Sequence, residues 1–450
     1  MSTRDFSGIG GLIVNKEEGL AHNFELFSGG VLEKAMKKGY DQQIYPTSFN
    51  SSEGPFEFYI PGSNNYIFFP HTRLYIKAQI LKVGDDGGLA NAVAADNFSV
   101  ANLFPQSLFK QVDVEIGGVN TSSQDQLYAY KTYMETLLSY GQGGVCTENY
   151  IEGHLAAGSH YYLDEPANFD AVDSDGCEKR KSLVANSSVF DFCIPLHADI
   201  MQSVRALPPN IPVKITLTRN PDAFSIISPA NVEFKIKLLS LKLYIRKIET
   251  DEMVYKEYIS AIQKQPAILP YTRTVMKKYL IAQNSTNTSL SSIFRDHLPR
   301  QIVMAIIKQT RVDGRQNENP FNFQPFGLNF IQLKIDGQNF PPNPYQPDFD
   351  RGLISRELRA LYDNTGVHTS DGGFTVSRAG FKNGYTLFAW DLTPDSCNGW
   401  HLHTPSGRGI DLDLTFSSPL TTTVNIIFYA AFEASLFINK ENAVSGFFPS

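Results

Sequence analysis

The chain of 450 residues carries one pattern of elements twice. Gln111-Val-Asp-Val-Glu-Ile-Gly-Gly-Val-Asn120 alternates apolar and polar residues and runs into glycines, and Phe330-Ile-Gln-Leu-Lys-Ile-Asp-Gly-Gln-Asn339 does so again. Val112, Val114, Ile116, Gly118 and Asn120 meet Ile331, Leu333, Ile335, Gly337 and Asn339 at a constant offset of 219 residues. Alternation of this kind predicts a strand with one buried face, and the glycines that end it predict a tight turn. Helical spacing follows in both places, over Gln126 to Tyr140 before Gly141 and over Leu353 to Tyr362 before Gly366, at an offset of 222. Next, Phe192-Cys-Ile-Pro-Leu196 meets Phe388-Ala-Trp-Asp-Leu392 at 196, and Val213-Lys-Ile-Thr-Leu-Thr218 meets Ile410-Asp-Leu-Asp-Leu-Thr415 at 197. The order is kept, so one unit is duplicated. The drop in offset places about 26 extra residues in the first copy, inside the polar stretch 141–189, where a surface loop absorbs them.

Each copy has about 200 residues, of which eight strands of ordinary length would use about a quarter. The expected class is all-β with a few inserted helices. The natural architecture is a double jelly roll, two tandem eight-stranded antiparallel β-sandwiches, although pattern alone also admits other sandwiches and leaves strand order open. The 32 Phe and 21 Tyr suit pleated, half-buried surfaces, and 33 Gly with 25 Pro supply turns. The expected division is an N-terminal arm over 1–45, a first jelly roll over 46–249, a linker helix over 250–266 and a second jelly roll over 267–450. In the arm, Val31-Leu-Glu-Lys-Ala-Met-Lys-Lys-Gly39 reads as a short amphipathic helix stopped by Gly39. In the linker, Thr250 reads as an N-cap and Pro266 as the stop.

A net charge of −7 does not suit a protein that coats nucleic acid by charge. The N-terminus lacks the basic and apolar regions of a secretory signal, and no run is long and apolar enough for a membrane helix. Cys146, Cys177, Cys193 and Cys397 are scattered and form no CxxC pair, which predicts reduced thiols. His401 and His403 would share one strand face, but zinc needs three or four ligands and no third is near. Asp411 and Asp413 also share a face, opposite Ile410, Leu412 and Leu414, and read as the solvated side of an amphipathic strand. Gly141-Gln-Gly-Gly144 lacks the Lys-Ser/Thr end of a phosphate loop and reads as a plain loop. The basic run Glu178-Lys-Arg-Lys181 reads as a solvated loop or an import signal, and Lys34, Lys37 and Lys38 as a polar helix face or a surface turned towards DNA. No catalytic residue, cofactor site or metal site is expected.

Longer stretches are distinctive: Leu243-Tyr-Ile-Arg-Lys-Ile, Tyr271-Thr-Arg-Thr-Val, Leu298-Pro-Arg-Gln-Ile-Val, Asn319-Pro-Phe-Asn-Phe323 with Leu328-Asn-Phe, Asp336-Gly with Pro347-Asp-Phe, and Asn383-Gly-Tyr-Thr-Leu-Phe-Ala-Trp-Asp-Leu-Thr-Pro-Asp395. Across about residues 240–440 the chain resembles the double jelly-roll major capsid proteins of Polinton/Maverick elements and adintoviruses, and the first half resembles them through strand order and the repeat. The resemblance implies a non-enzymatic homotrimer whose six sandwiches make a pseudo-hexagonal tile of an icosahedral shell. It also implies residence in the virion after synthesis in the cytoplasm or nucleus. Further implied are a single jelly-roll penton protein as partner, and a packaging ATPase and a cysteine maturation protease encoded beside it. The competing reading is a carbohydrate-binding or glycan-hydrolysing jelly roll, which would require a clustered acid pair or a metal site in one roll.

Overall fold

The computed structural model describes residues 35–50, 54–84, 86–93, 96–139, 175–229, 231–295, 297–366, 376–394 and 409–449. Among the described residues, twenty strands fall mainly into four antiparallel sheets. In the first half, β1 (Met36–Ile44), β11 (Phe234–Thr250), β3 (Tyr66–Val83) and β8 (Phe190–Pro195) lie side by side in that order, with β4 (Leu89–Asn91) also on β3. Facing them is the sheet β2 (Phe56–Ile60), β9 (Val213–Arg219), β6 (Phe109–Ile116) and β7 (Val119–Asn120).

The second half repeats both sheets strand for strand. One has the order β12 (Ala267–Ile281), β19 (Val424–Ile438), β14 (Gln301–Lys308), β17 (Leu387–Asp391), with β20 (Val444–Phe447) on β19. The other has the order β13 (Asn287–Leu290), β18 (Ile410–Phe416), β15 (Leu328–Ile335), β16 (Gln338–Tyr345). A two-stranded ribbon of β5 (Ser99–Val100) and β10 (Ile226–Ile227) completes the set. The fold is therefore an all-β double jelly roll with inserted helices, as the duplication predicts.

The cores follow the period of two. Val112, Val114, Ile116, Val213, Ile215 and Leu217 point inward in the first sandwich, and Ile331, Leu333, Ile410, Leu412 and Leu414 in the second. Ile335, at the end of its strand, is half-buried. Each fully buried side chain of this kind stabilises the fold by about 1.5–3 kcal/mol. The two turns foreseen from sequence are two-residue hairpins, with Ile116 opposite Val119 and Ile335 opposite Gln338. Gly117 and Gly118 have φ of 56° and 86°, and Asp336 and Gly337 have 50° and 81°, the left-handed pair such a turn requires.

Helices sit in the connections. α1 (Tyr128–Ser139) and α4 (Ser355–Thr365) occupy the same place in the two copies, between the fifth and sixth of the eight strands that build each sandwich, and Gly366 ends α4 in the left-handed region. α2 (Asp175–Val184) precedes β8, and α3 (Glu252–Ile262) joins β11 to β12. Its N-cap is Asp251, whose side chain accepts from the Met253 amide at 2.9 Å, rather than Thr250, which closes β11.

Two further local expectations are corrected. The helix foreseen over Val31–Gly39 is a strand from Met36 onward, and residues 31–34 lie outside the described residues. Its backbone groups pair with β11 across some 200 residues of sequence, Gly39 opposite Ile248 and Asp41 opposite Arg246, so sheet pairing overrides local spacing. Lys37 reaches Asp251 at 3.4 Å and Lys38 lies over the Tyr40 ring. The run Glu178–Lys181 belongs to α2 rather than a loop, and Arg180 is fully buried, donating to the Val100 carbonyl at 3.0 Å. The expected 141–189 insertion lies largely outside the described residues, as do Lys34, Gly141–Gly144, His401 and His403.

A Cβ on Gly117 would meet Val444 Cγ2 at 2.5 Å, whereas one on Gly118 would meet nothing within 4 Å. Both positions carry the left-handed penalty of about 1–2 kcal/mol. Gly117→Ala is therefore expected to lower the urea midpoint clearly more than Gly118→Ala, because only the former also pushes the C-terminal strand away. Equal midpoints would refute that contact.

Candidate functional site

α1 is buried along its length, every residue from Tyr128 to Leu137 included. A surface helix keeps one face in water. This one is wedged between the two sandwiches, and its two sides are chemically different.

The aromatic side presents Tyr130 and Tyr133. Tyr133 stacks on Phe321 with ring centroids 4.3 Å apart and planes 10° from parallel, and Tyr130 meets Phe224 and Phe321 edge-on, both at 5.8 Å. Phe321 and Phe323 come from the Asn319-Pro-Phe-Asn-Phe323 stretch, held by a turn in which the Phe321 amide donates to Asn319 Oδ1 at 2.9 Å.

The ionic side presents Lys131 and Glu135. Lys131 Nζ lies 2.5 Å from Asp199 Oδ1 and donates to the His197 carbonyl at 2.8 Å, with Glu135 Oε1 at 3.8 Å. Glu135 Oε2 is 2.9 Å from His197 Nδ1, and Tyr429 donates to Glu135 Oε1 at 3.4 Å. Tyr429 is on β19 of the second sandwich. The second oxygen of Asp199 accepts from the Thr274 amide at 2.8 Å, and Asp125 accepts from the Met276 amide at 3.0 Å. The Ser123 hydroxyl donates to the Thr274 carbonyl at 3.0 Å, and the Arg205 guanidinium to the Ile268 carbonyl at 2.8 Å.

Thr274, Met276 and Ile268 belong to β12, the edge strand of its sheet. An unpaired strand edge is a row of open backbone donors and acceptors. Side chains of the first sandwich satisfy this one.

Burial alone would raise the Glu135 carboxyl, but Lys131 and the His197 bond outweigh it and hold Glu135 below its usual range. An ionised carboxylate can only accept, so the His197 proton sits on Nδ1. For Lys131, burial would lower the ammonium, yet Asp199 and Glu135 raise it. For Asp199 the same burial wins over Lys131, and its carboxyl is pushed up. A cleft of about 360 Å³ lies beside the network, lined by Phe69, Pro70, Glu135, His197, Met201 and Tyr429 among others. Among the described residues no three His, Cys, Asp or Glu side chains cluster as metal ligands. The arrangement is a clamp: dry, ionic and spanning two sandwiches.

The C-terminal strand adds a second fastening. Arg273 donates to the Pro449 carbonyl at 2.8 Å and lies over the Phe448 ring. Val444 and Phe448 pack on the core of the first sandwich.

Asp411 and Asp413 stay half-exposed on β18, as expected. Asp413 meets Lys334 Nζ at 2.6 Å and accepts from Ser289 at 2.6 Å, while Asp411 accepts from the Ser292 amide at 2.7 Å. The hydrogen bond from Lys334, with that from Ser289, keeps Asp413 below the usual carboxylate range.

Sequence reading did not single out the clamp. Lys131 and Glu135, four apart, look like an exposed helical pair, and His197 and Asp199 lie in a connection. One signal was present: Tyr128, Tyr130, Tyr133, Met134 and Leu137 leave α1 no wholly polar face.

No family model matches the chain. An uncharacterised protein of Caenorhabditis elegans, F54H12.2, is 22% identical over 356 residues, spanning 76% of this chain and 81% of that one. Among solved structures, a chain of the Sputnik virophage matches with a TM-score of 0.62 at 12% identity, covering 96% of this chain and 92% of its own. The PBCV-1 protein VP54 matches at 0.57 and 13% identity, over 94% and 100%. The mavirus major capsid protein matches at 0.51 and 11% identity, over 99% and 97%. These likenesses establish the fold, with both sandwiches included.

Lys131→Met would strand two buried carboxylates, and such a break costs about 3–5 kcal/mol. Chemical denaturation near neutral pH should show a loss of that order, and one under 1 kcal/mol would deny the clamp its role. Glu135, whose folded pKa is depressed, contributes stability above its unfolded pKa and loses it as pH falls through the folded value. The stability of the wild type should therefore fall more steeply below about pH 4.5 than that of Glu135→Gln. Parallel acid limbs would contradict this.

Proposed function

We propose that the chain is a viral major capsid protein that assembles as a homotrimer, a pseudo-hexameric capsomer, and that these capsomers tile an icosahedral shell. The observation that carries this reading is whole-length similarity to capsid chains, both sandwiches and their order included. The clamp supports it physically. A shell protein must transmit load between its sandwiches, and here they share one buried seam instead of a loose linker.

The role is mechanical, and no turnover is assigned to any residue. A Polinton or adintovirus-like element is the specific source we propose, on the stretches within residues 240–440. A relative in a nematode fits a capsid gene carried in an animal genome. The chain would reside in the virion, contacting its own copies and a single jelly-roll penton protein. Among the described residues no helix is long and apolar enough to cross a membrane.

Analytical ultracentrifugation of the full chain at micromolar concentration should give a species of roughly three times the 50.2 kDa chain mass. Negative-stain images should show hexagonal capsomers or particles. A monomer at every salt concentration and pH tried would sink the proposal.

A further inference from the structure

The closest ion pair of the clamp is also a pair of reactants. Lys131 carries an amine and Asp199 a carboxyl, 68 residues apart in sequence, with Nζ 2.5 Å from Oδ1. Their side chains keep only 10% and 5% of their surface in water, and that of Glu135 keeps 9%. In bulk water such a pair stays ionised and does not combine. A dry site changes the balance, because a buried ion pair bears a desolvation cost that a neutral amide does not. Fixed geometry also replaces diffusional encounter.

The parts of a condensation are assembled around the pair. The His197 carbonyl accepts from Lys131 Nζ at 2.8 Å and fixes where the amine sits. Asp199 opens a short 3-10 helix, Asp199–Gln202, and its Oδ2 accepts from the Thr274 amide at 2.8 Å. A backbone N–H in that place holds the negative charge that develops on the oxygen when a nucleophile adds to the carboxyl carbon. Glu135 Oε1 stands 3.8 Å from Nζ, a small side-chain rotation from hydrogen-bond reach. A void of about 20 Å³, lined by Lys131, Asp199, Asp125 and His197 among others, has room for one water molecule.

We propose that this pair condenses: Lys131 Nζ attacks Asp199 Cγ and closes an isopeptide bond inside the clamp, releasing one water. The bond that forms is Nζ–Cγ and the bond that breaks is Cγ–Oδ1. Of the three ammonium protons, one stays on the amide nitrogen and two leave on Oδ1 as water. Glu135 carries them and ends as it began. Oδ2 remains as the amide oxygen, still accepting from Thr274. Nothing is oxidised or reduced, so the link needs no oxidant, in contrast to a disulfide.

The charges set the pace. Burial pushes the Asp199 carboxyl up, towards the protonated form that a nucleophile attacks. Burial also favours the neutral Lys131 amine, but Asp199 and Glu135 outweigh it and keep the ammonium in the majority. The reactive amine is therefore scarce, and folding precedes linkage. The ionic clamp forms first and the covalent one matures from it. Once linked, α1 is bonded to the connection that carries Asp199 while its tyrosines remain in the core of the second sandwich, so the helix cannot withdraw from the seam.

Intact mass spectrometry of the purified full chain tests this, whatever its assembly state. Incubation over days below the melting temperature should convert the chain to a species lighter by one water. Tryptic mapping should then show the peptide bearing Lys131 joined to the one bearing Asp199, with no cleavage after Lys131. Lys131→Arg, which keeps the charge but not the primary amine, should stay at its sequence mass. Glu135→Gln, its fold checked by circular dichroism, should convert more slowly by a factor on the order of 100, the contribution of a positioned proton carrier. Conversion of Glu135→Gln at the wild-type rate would overturn the proton path through Glu135. A wild type still at its sequence mass after that incubation would overturn the linkage. So would a water lost elsewhere, as in a cyclic imide at Asp336-Gly337.

Discussion

A lysine ammonium taken out of water must be neutralised where it lies. Lys131 is buried on a helix of the first sandwich, and Asp199 beside it uses its other oxygen to hold the backbone of the second. Glu135, one turn further along α1, is bound by His197 of the first sandwich and Tyr429 of the second. The charge that would be most costly in isolation therefore ties the two halves together. The helix cannot leave the seam without exposing its tyrosines and separating its charges. The exchange of parts is mutual. Tyr130, Tyr133 and Met134 of the first half belong to the core of the second, while Leu269, Tyr271 and Leu436 of the second belong to the core of the first.

This interlocking changes what the duplication means. Two equal sandwiches on a linker would keep equal surfaces. Here each strand has the same place in both copies but not the same surroundings. β8 reads Phe-Asp-Phe-Cys-Ile and has a wet side, while its counterpart β17 reads Leu-Phe-Ala-Trp-Asp and has none. Trp390 is fully buried, 6.0 Å from the Tyr345 ring. The distinctive stretch around it is thus a strand buried on both sides, and Asn319–Phe323 supplies the aromatic wall of the seam. Of these two stretches, Asn319–Phe323 packs against the first half, while the strand around Trp390 is enclosed within the second.

Legibility followed the range of the forces involved. The β6-β7 and β15-β16 hairpins were readable because alternation and a left-handed dipeptide act within ten residues. The offsets of 219 and 196 revealed the repeat for the same reason. The strand β1 was misread because Val31–Gly39 has helical spacing, while the partner that decides its state lies on β11. Arg180 was misread because a basic run ordinarily faces water, and its acceptor on Val100 is 80 residues away. The clamp was hidden altogether. Its four charged or ionisable members come from a helix and a connection, and the groups that fix them belong to the other half.

Fusing two copies in one chain also lifts a constraint. Identical subunits in a six-membered ring must use one interface six times, so any change that dries or tightens it acts everywhere at once. Once the two sandwiches are joined, the contacts can diverge in alternation. The inner contact here has become an obligate core, with its cation matched and its edge strand capped. The outer side of the first sheet has kept lysines and tyrosines that meet water, features of a soluble surface. Permanent cohesion and contact with water place opposite demands on polarity. A duplicated chain can meet both because its two copies of the same sheet are free to answer differently.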